Sequence, residues 1–210
     1  MLKQIIFDFD GTLVSSQMII LNAYNQVASK YQANRIDVKD IEYLKALSIQ
    51  ERCKFVNFKL YKFPMLAIDV YRGYKQQIKD LHFFEGMRNL LTGLKEKGYG
   101  ISIISTNSKE VIEQFLASND IHFVDQILCS NRLHGKDKDI KRFLKEKRLQ
   151  SDEVVYVGDE IRDIIASKKN AVRVIWVTWG YDVIENVKNY QPDFIASTPE
   201  EIYDIVQAMN

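Results

Sequence analysis

The sequence predicts an α/β fold, a doubly wound parallel sheet of Rossmann-like type with an all-helical domain inserted after the first strand. Two observations predict the sheet and a third predicts the insertion. Short runs rich in Ile, Val and Phe recur along the chain without polar alternation, and segments of helical periodicity separate them. Strands buried on both faces read this way, and helices packed on both faces of a parallel sheet supply that burial. From Ser15 to Phe84, by contrast, no strand-like run occurs.

The strand-like runs are Gln4 to Asp8, Gly100 to Ser105, Gln126 to Cys129, Glu153 to Val157 and Val172 to Val177. Helical spacing marks Lys109 to Ser118, Ile140 to Lys147, Ile161 to Lys169 and Glu200 to Met209. Pro192 and Pro199 bracket Phe194-Ile195, which reads as a last edge strand. Within the insertion, helices are expected over Met18 to Lys30, Val38 to Leu47, Ile49 to Phe58 and Met65 to Lys79, with breaks near Asn34 and at Phe63-Pro64. Its aromatic residues recur at helical spacings, which points to a small helical core rather than a ligand cage. The expected division is a core of residues 1–14 and 85–210 and a helical domain of residues 15–84.

Composition narrows the function classes. A net charge of +1 provides no attraction to nucleic acid or an acidic membrane surface. The basic clusters Lys141-Arg142 and Lys145 to Arg148 are interleaved with acids and read as a solvated helix face. No apolar stretch has the length of a membrane span, and the N-terminus lacks a signal-peptide pattern. Cys53 and Cys129 lack metal-ligand spacing and read as free thiols of a reducing compartment, so a cytoplasmic protein is expected.

The chemistry-bearing residues stand where strands end. Asp8 and Asp10 are two apart, so an extended chain turns both to one side. Gly11 lets the backbone turn sharply. Asp10-Gly11 alone is a common turn, but a carboxylate in Ile-Ile-Phe-Asp-Phe is costly to bury without a partner such as a metal ion. Val157-Gly158-Asp159 again ends a strand in a carboxylate, with Asp163 one helical turn on. Helix capping and Mg²⁺ binding stand equal for this pair. Ser105-Thr106-Asn107-Ser108 closes another strand in small donors that suit a helix cap or a phosphate. Gly135-Lys136 precedes the helix leading to the Asp159 strand, and Lys138 lies nearby as an alternative.

These four elements, in this order and across essentially the whole chain, resemble the haloacid dehalogenase superfamily. The segment Asp8-Phe9-Asp10-Gly11-Thr12-Leu13-Val14 is the most specific of them. The insertion and Val177-Thr178-Trp179-Gly180-Tyr181 are similar to its phosphoglycolate-phosphatase-like branch, where the insertion is a helical cap. The resemblance implies a Mg²⁺-dependent phosphatase with Asp8 as nucleophile and metal ligand. Asp10 would be the general acid/base and would bind metal through its backbone carbonyl. Thr106, Asn107, Gly11 and Lys136 would meet the phosphoryl group, and Asp159 and Asp163 would complete the metal site. Ser15-Ser16 departs from the acidic-Ser pair common after this motif.

The expected substrate is a small phosphorylated metabolite, and the expected state a monomer or weak dimer. A dehalogenase of the same fold would lack a carboxylate at the place of Asp10. A phosphomutase would pass the phosphoryl group to a sugar hydroxyl, and only the insertion distinguishes it. A non-catalytic binding module would not fill every expected catalytic position. Lys45, Arg52 and Lys54 are the insertion's first candidates for substrate contact, against the simpler reading of solvated helix faces.

Overall fold

The first apolar run becomes an inner strand of the sheet. The computed structural model describes residues 1–130 and 135–209. In chain order the elements are β1 (Gln4–Phe7), α1 (Gln17–Val27), α2 (Ile41–Ala46), α3 (Ile49–Phe55), α4 (Phe63–Gln76), α5 (Met87–Glu96), β2 (Gly100–Ser105) and α6 (Lys109–Ser118). There follow β3 (Gln126–Cys129), α7 (Lys136–Lys147), β4 (Val154–Gly158), α8 (Ile161–Lys169), β5 (Arg173–Val177), α9 (Ile184–Val187), β6 (Phe194–Ala196) and α10 (Pro199–Ala208). By contact the chain separates into two compact units, Met1–Ser15 with His82–Asn210, and Ser16–Leu81.

The larger unit holds a six-stranded sheet in the order β3-β2-β1-β4-β5-β6, with every neighbouring pair parallel. Ile5, Ile6 and Phe7 are wholly buried because β1 has a strand on each side and helices on the faces. Each such side chain contributes about 1.5–3 kcal/mol of burial free energy. The order runs outward in opposite directions from β1 and β4, so a crevice opens at their carboxyl ends, the usual ligand position in such sheets. Where the chain leaves and re-enters this unit, Phe84 N donates to Leu13 O at 3.0 Å and Ser15 N to His82 O at 2.9 Å. These rungs hold the two crossings side by side.

Several elements depart from expectation, the short α9 among them, since no helix was expected there. α5 lies outside the expected helices, although its buried Met87, Leu90, Leu91 and Leu94 stand at the spacing of one helix face. α7 starts at Lys136 rather than Ile140; its first turn carries Asp137 and Asp139, which favour a helix start without adding apolar periodicity. Phe63-Pro64 begins α4 instead of breaking the chain, because the first helical turn does not need the missing proline N–H.

The smaller unit is entirely helical. Tyr31, Ala33, Cys53, Val56, Phe58 and Leu66 form its core, and the Tyr31 and Phe58 rings meet edge-on at 6.1 Å. α1 and α4 cross closely: a Cβ on Gly73 would lie 3.0 Å from the Ala23 Cβ. Asn25 donates to and accepts from the Ile36 backbone, both at 2.8 Å, which fixes the chain after α1. Ser48 and Glu51 close a capping box at the start of α3. Among the described residues no helix is long and apolar enough to cross a membrane.

Candidate active site at the carboxyl ends of the strands

Strand register decides which residues meet. Phe7 pairs with Ile103 on one side and Val157 on the other, and Asp8 N continues the ladder to Val157 O at 2.9 Å. The residues following β1, β2 and β4 therefore emerge together: Asp8 and Asp10, Thr106 and Asn107, Asp159 and Glu160. The turn from Phe9 to Val14 closes on Leu13 N to Phe9 O at 2.9 Å and Gly11 N to Val14 O at 3.0 Å. Gly11 sits there at φ +78°, and a Cβ would come within 2.7 Å of the Tyr181 ring. Only glycine suits that backbone and that contact.

Lys136 is the hub of the site. It is 3% exposed, and its Nζ donates to Asp8 Oδ2 at 2.6 Å and to Asp163 Oδ1. Lys138 is exposed, and Lys136 is the lysine that reaches Asp8. Burial alone would lower the Lys136 pKa, but the Asp163 and Asp8 charges outweigh it and hold the ammonium protonated. Tyr156 lies beneath, donating to Ile104 O at 3.0 Å, with the ammonium 5.8 Å from its ring centroid.

Asp8 Oδ1 accepts from Phe9 N at 2.7 Å, so both its oxygens are engaged. Asp10 Oδ2 accepts from Asn107 Nδ2 at 2.8 Å, while Asn107 Oδ1 accepts from Ser108 N at 2.7 Å. Asn107 therefore orients Asp10, a role beyond the phosphate contact expected of it. Thr106 is half-buried in the same turn.

Asp159 is wholly buried and accepts from Thr12 Oγ1 at 2.7 Å and Tyr181 N at 2.8 Å. It ties the turn after β1 to the loop after β5. Asp163 Oδ2 accepts from Glu160 N at 3.1 Å, in the capping box that starts α8. Gly158 is required behind it, since a Cβ would lie 2.6 Å from Asp163 Oδ2.

Burial raises the pKa of Asp159 well above the carboxylate range, and the charges of Glu160, Asp8 and Asp163 push the same way. Asp163 is raised too, by burial first, despite Lys136 opposing the shift. Glu160 rises to about 7, chiefly through burial, with Arg162 opposing and Asp163 adding to the rise. Five carboxylates thus share the site with two cations, Lys136 and Arg162, a set of oxygen donors that could hold a divalent cation.

The residues suit one. One oxygen each from Asp8, Glu160 and Asp163 lie within 4.8 Å of one another. An octahedral Mg²⁺ with bonds of about 2.1 Å separates its ligands by roughly 3 to 4 Å, a spacing of the same order as that of these oxygens. Hard oxygen donors alone select a hard cation. Glu160 was not among the residues expected from sequence. Its signal was its place directly after Asp159 at the end of a strand.

In the smaller unit, Arg52 is committed to the backbone, donating to Leu47 O at 2.9 Å and Lys45 O at 3.0 Å. Lys45 pairs with Glu42 at 3.0 Å, and Lys54 is exposed. Arg52 is therefore structural, while Lys54 is the one of the three that keeps an exposed head.

Comparison with known proteins places this geometry. Residues 5–177 match the sequence profile of the haloacid dehalogenase-like hydrolases. A phosphoglycolate phosphatase of Synechococcus elongatus is 27% identical over 206 residues, covering 98% of this chain and 97% of the relative. A pyrophosphatase PpaX of Bacillus mycoides is 21% identical over 215 residues, covering 100% and 99%. Among solved structures, a haloacid dehalogenase-like hydrolase from Streptococcus pneumoniae shares the fold, with TM-score 0.83, 24% identity and 98% of each chain covered. The chain belongs to the haloacid dehalogenase-like hydrolases.

Proposed function

We propose that the protein is a Mg²⁺-dependent phosphatase of a small phosphate monoester, working through an aspartyl-phosphate on Asp8. The observation that carries the reading is the buried Lys136 ammonium, 2.6 Å from Asp8, two residues before the Asn107-oriented Asp10. A carboxylate approaching a phosphate dianion brings like charges together. At about 4 Å and an effective dielectric of about 20, each such pair costs roughly 4 kcal/mol. Lys136 offsets part of that cost from a fixed position.

In the first step an Asp8 oxygen forms a bond to phosphorus while the ester P–O bond breaks, and Asp10 gives its proton to the leaving alkoxide. In the second, Asp10 takes a proton from water, the water oxygen bonds to phosphorus, and the Asp8–phosphorus bond breaks. Inorganic phosphate leaves and Asp8 is restored. Thr106 and the Gly11 backbone would meet the phosphoryl oxygens. Asp8, the Asp10 carbonyl, Asp159 and Asp163 would hold Mg²⁺, which supplies charge stabilisation to the phosphoryl group. Asp10 also favours phosphorus over carbon as the centre attacked, because a dehalogenase needs no leaving-group acid.

The helical unit is proposed as the cap that selects the ester. Phosphoglycolate and pyrophosphate, named for the relatives above, are the first substrates to try. Purified protein should hydrolyse p-nitrophenyl phosphate with Mg²⁺. Asp8→Asn should lose turnover by on the order of 10⁴-fold or more. Near-normal turnover in that variant, or full activity in excess EDTA, would sink the mechanism. Transfer of phosphate to a sugar hydroxyl instead of water would mark a phosphomutase.

A further inference from the structure

The end of β5 and the loop after it take no part in the mechanism above, yet they grip a carboxylate that the mechanism uses. Asp159 is wholly buried, and all three of its oxygens are held by donors. Its backbone O accepts from Trp176 Nε1 at 2.7 Å, its Oδ2 from Tyr181 N at 2.8 Å and its Oδ1 from Thr12 Oγ1 at 2.7 Å. Gly180 lets the loop close on it, since a Cβ there would collide with the Asp159 side chain. Thr178 N donates to Ala196 O at 3.0 Å, which anchors the start of the loop to β6.

Trp179 completes the grip indirectly. Its indole N–H donates to Thr12 O at 3.2 Å, and the hydroxyl of that same threonine donates to Asp159 Oδ1. The turn from Phe9 to Val14 closes on the Phe9 and Val14 carbonyls, which leaves the Thr12 carbonyl to the indole. The chain has two tryptophans, and each spends its single donor on Asp159 or on the residue that holds it. The simpler account of Trp179 is apolar packing, because its ring lies 5.9 Å from that of Phe84. Packing alone needs a ring there but no N–H aimed at Thr12.

We propose that Trp179 is a positioning residue that, through Thr12, sets the turn carrying Asp8 and Asp10 against Asp159. It rests on the function proposed above, in which both sides of that joint meet the metal: Asp8 and the Asp10 carbonyl on one, Asp159 on the other. Holding the Thr12 backbone fixes where its hydroxyl stands, and so the distance between the two sides.

The test is direct binding of Mn²⁺, as a Mg²⁺ substitute, to the whole chain, read from the free-Mn²⁺ signal in electron paramagnetic resonance without substrate. Trp179→Phe keeps a ring against Phe84 and removes the donor. It should weaken binding about threefold to tenfold, with the circular dichroism spectrum unchanged. Thr12→Val should weaken binding by about tenfold or more. Because Trp179 acts through Thr12, the double variant should bind no more weakly than Thr12→Val alone. Trp179→Phe binding like wild type would leave the ring as packing and overturn the proposal. Losses that add in the double variant would overturn the route through Thr12. Wild-type protein that binds no Mn²⁺ would remove the metal reading together with the proposal, a failure distinct from the other two.

Discussion

The two units use charge in opposite ways. At the strand ends of the sheet unit, Lys136, Asp8, Asp159 and Asp163 are all at most 3% exposed and bonded to one another or to the backbone. In the helical unit the ion pairs lie at the surface, as between Lys30, 64% exposed, and Asp69. Buried pairs resist the loss of one partner because the other is left in a poor solvent, whereas exposed pairs exchange a partner for water. The sheet unit therefore carries charge that is costly to leave unpaired, and the helical unit carries charge that can exchange its partner for water.

Breaking the hub should produce the largest effect. Lys136→Met leaves Asp8 and Asp163 without their shared cation, and should cost about 3–5 kcal/mol of stability in metal-free protein along with turnover. Urea denaturation in EDTA measures it. A midpoint equal to that of wild type would mean that the buried network is not what it looks like. Removing the Asp159 tie is smaller: Thr12→Val keeps the shape but leaves a carboxylate oxygen without its donor, for about 1–3 kcal/mol. The same denaturation series ranks the two.

The smallest effects belong to the helical unit. Lys30→Met should barely move the melting temperature. Asp69 is held below its ordinary 3.8 by hydrogen bonds from Lys30 and then Tyr31. A carboxyl depressed in the folded state stabilises above its unfolded value and loses that contribution as pH falls through the folded value. Asp69→Asn should therefore remove a small contribution at neutral pH and, by removing it, flatten the acid limb of a stability–pH curve below about pH 4. A large loss at pH 7 would place Asp69 with the buried class and erase the contrast.

The thiols do not divide this way, since burial raises both Cys53 and Cys129. Burial lifts the Cys129 pKa to about 11, so alkylation by iodoacetamide at pH 8 should be slow until denaturant is added.

Much of this molecule was legible in its sequence. Apolar runs without alternation fixed the parallel sheet, since only a sheet covered on both faces buries every residue of a strand. All five expected runs are strands, and Phe194 to Ala196 is the sixth. Asp8 stood out because a carboxylate inside an apolar run is costly to bury, whereas Asp10, Asp159 and Lys136 each had a structural reading and were carried by the order of the four elements together. α5 was readable in principle, from four leucine-type residues at helix spacing, but short helices beside long ones are easily passed over.

What the sequence could not contain was adjacency across the chain. Lys136 against Lys138 is a question of which side of one helix start faces Asp8, and residues 128 positions apart settle it only once β1 and α7 are packed. The same holds for Asn107, which spacing offered as a phosphate donor and packing set against Asp10, and for Glu160, whose neighbours Asp8 and Asp163 come from a strand end and a helix turn. Local pattern determined the elements, because periodicity is a property of neighbouring residues. Tertiary structure alone decided which charges share a dry space, because that depends on strand order and register rather than on any one segment.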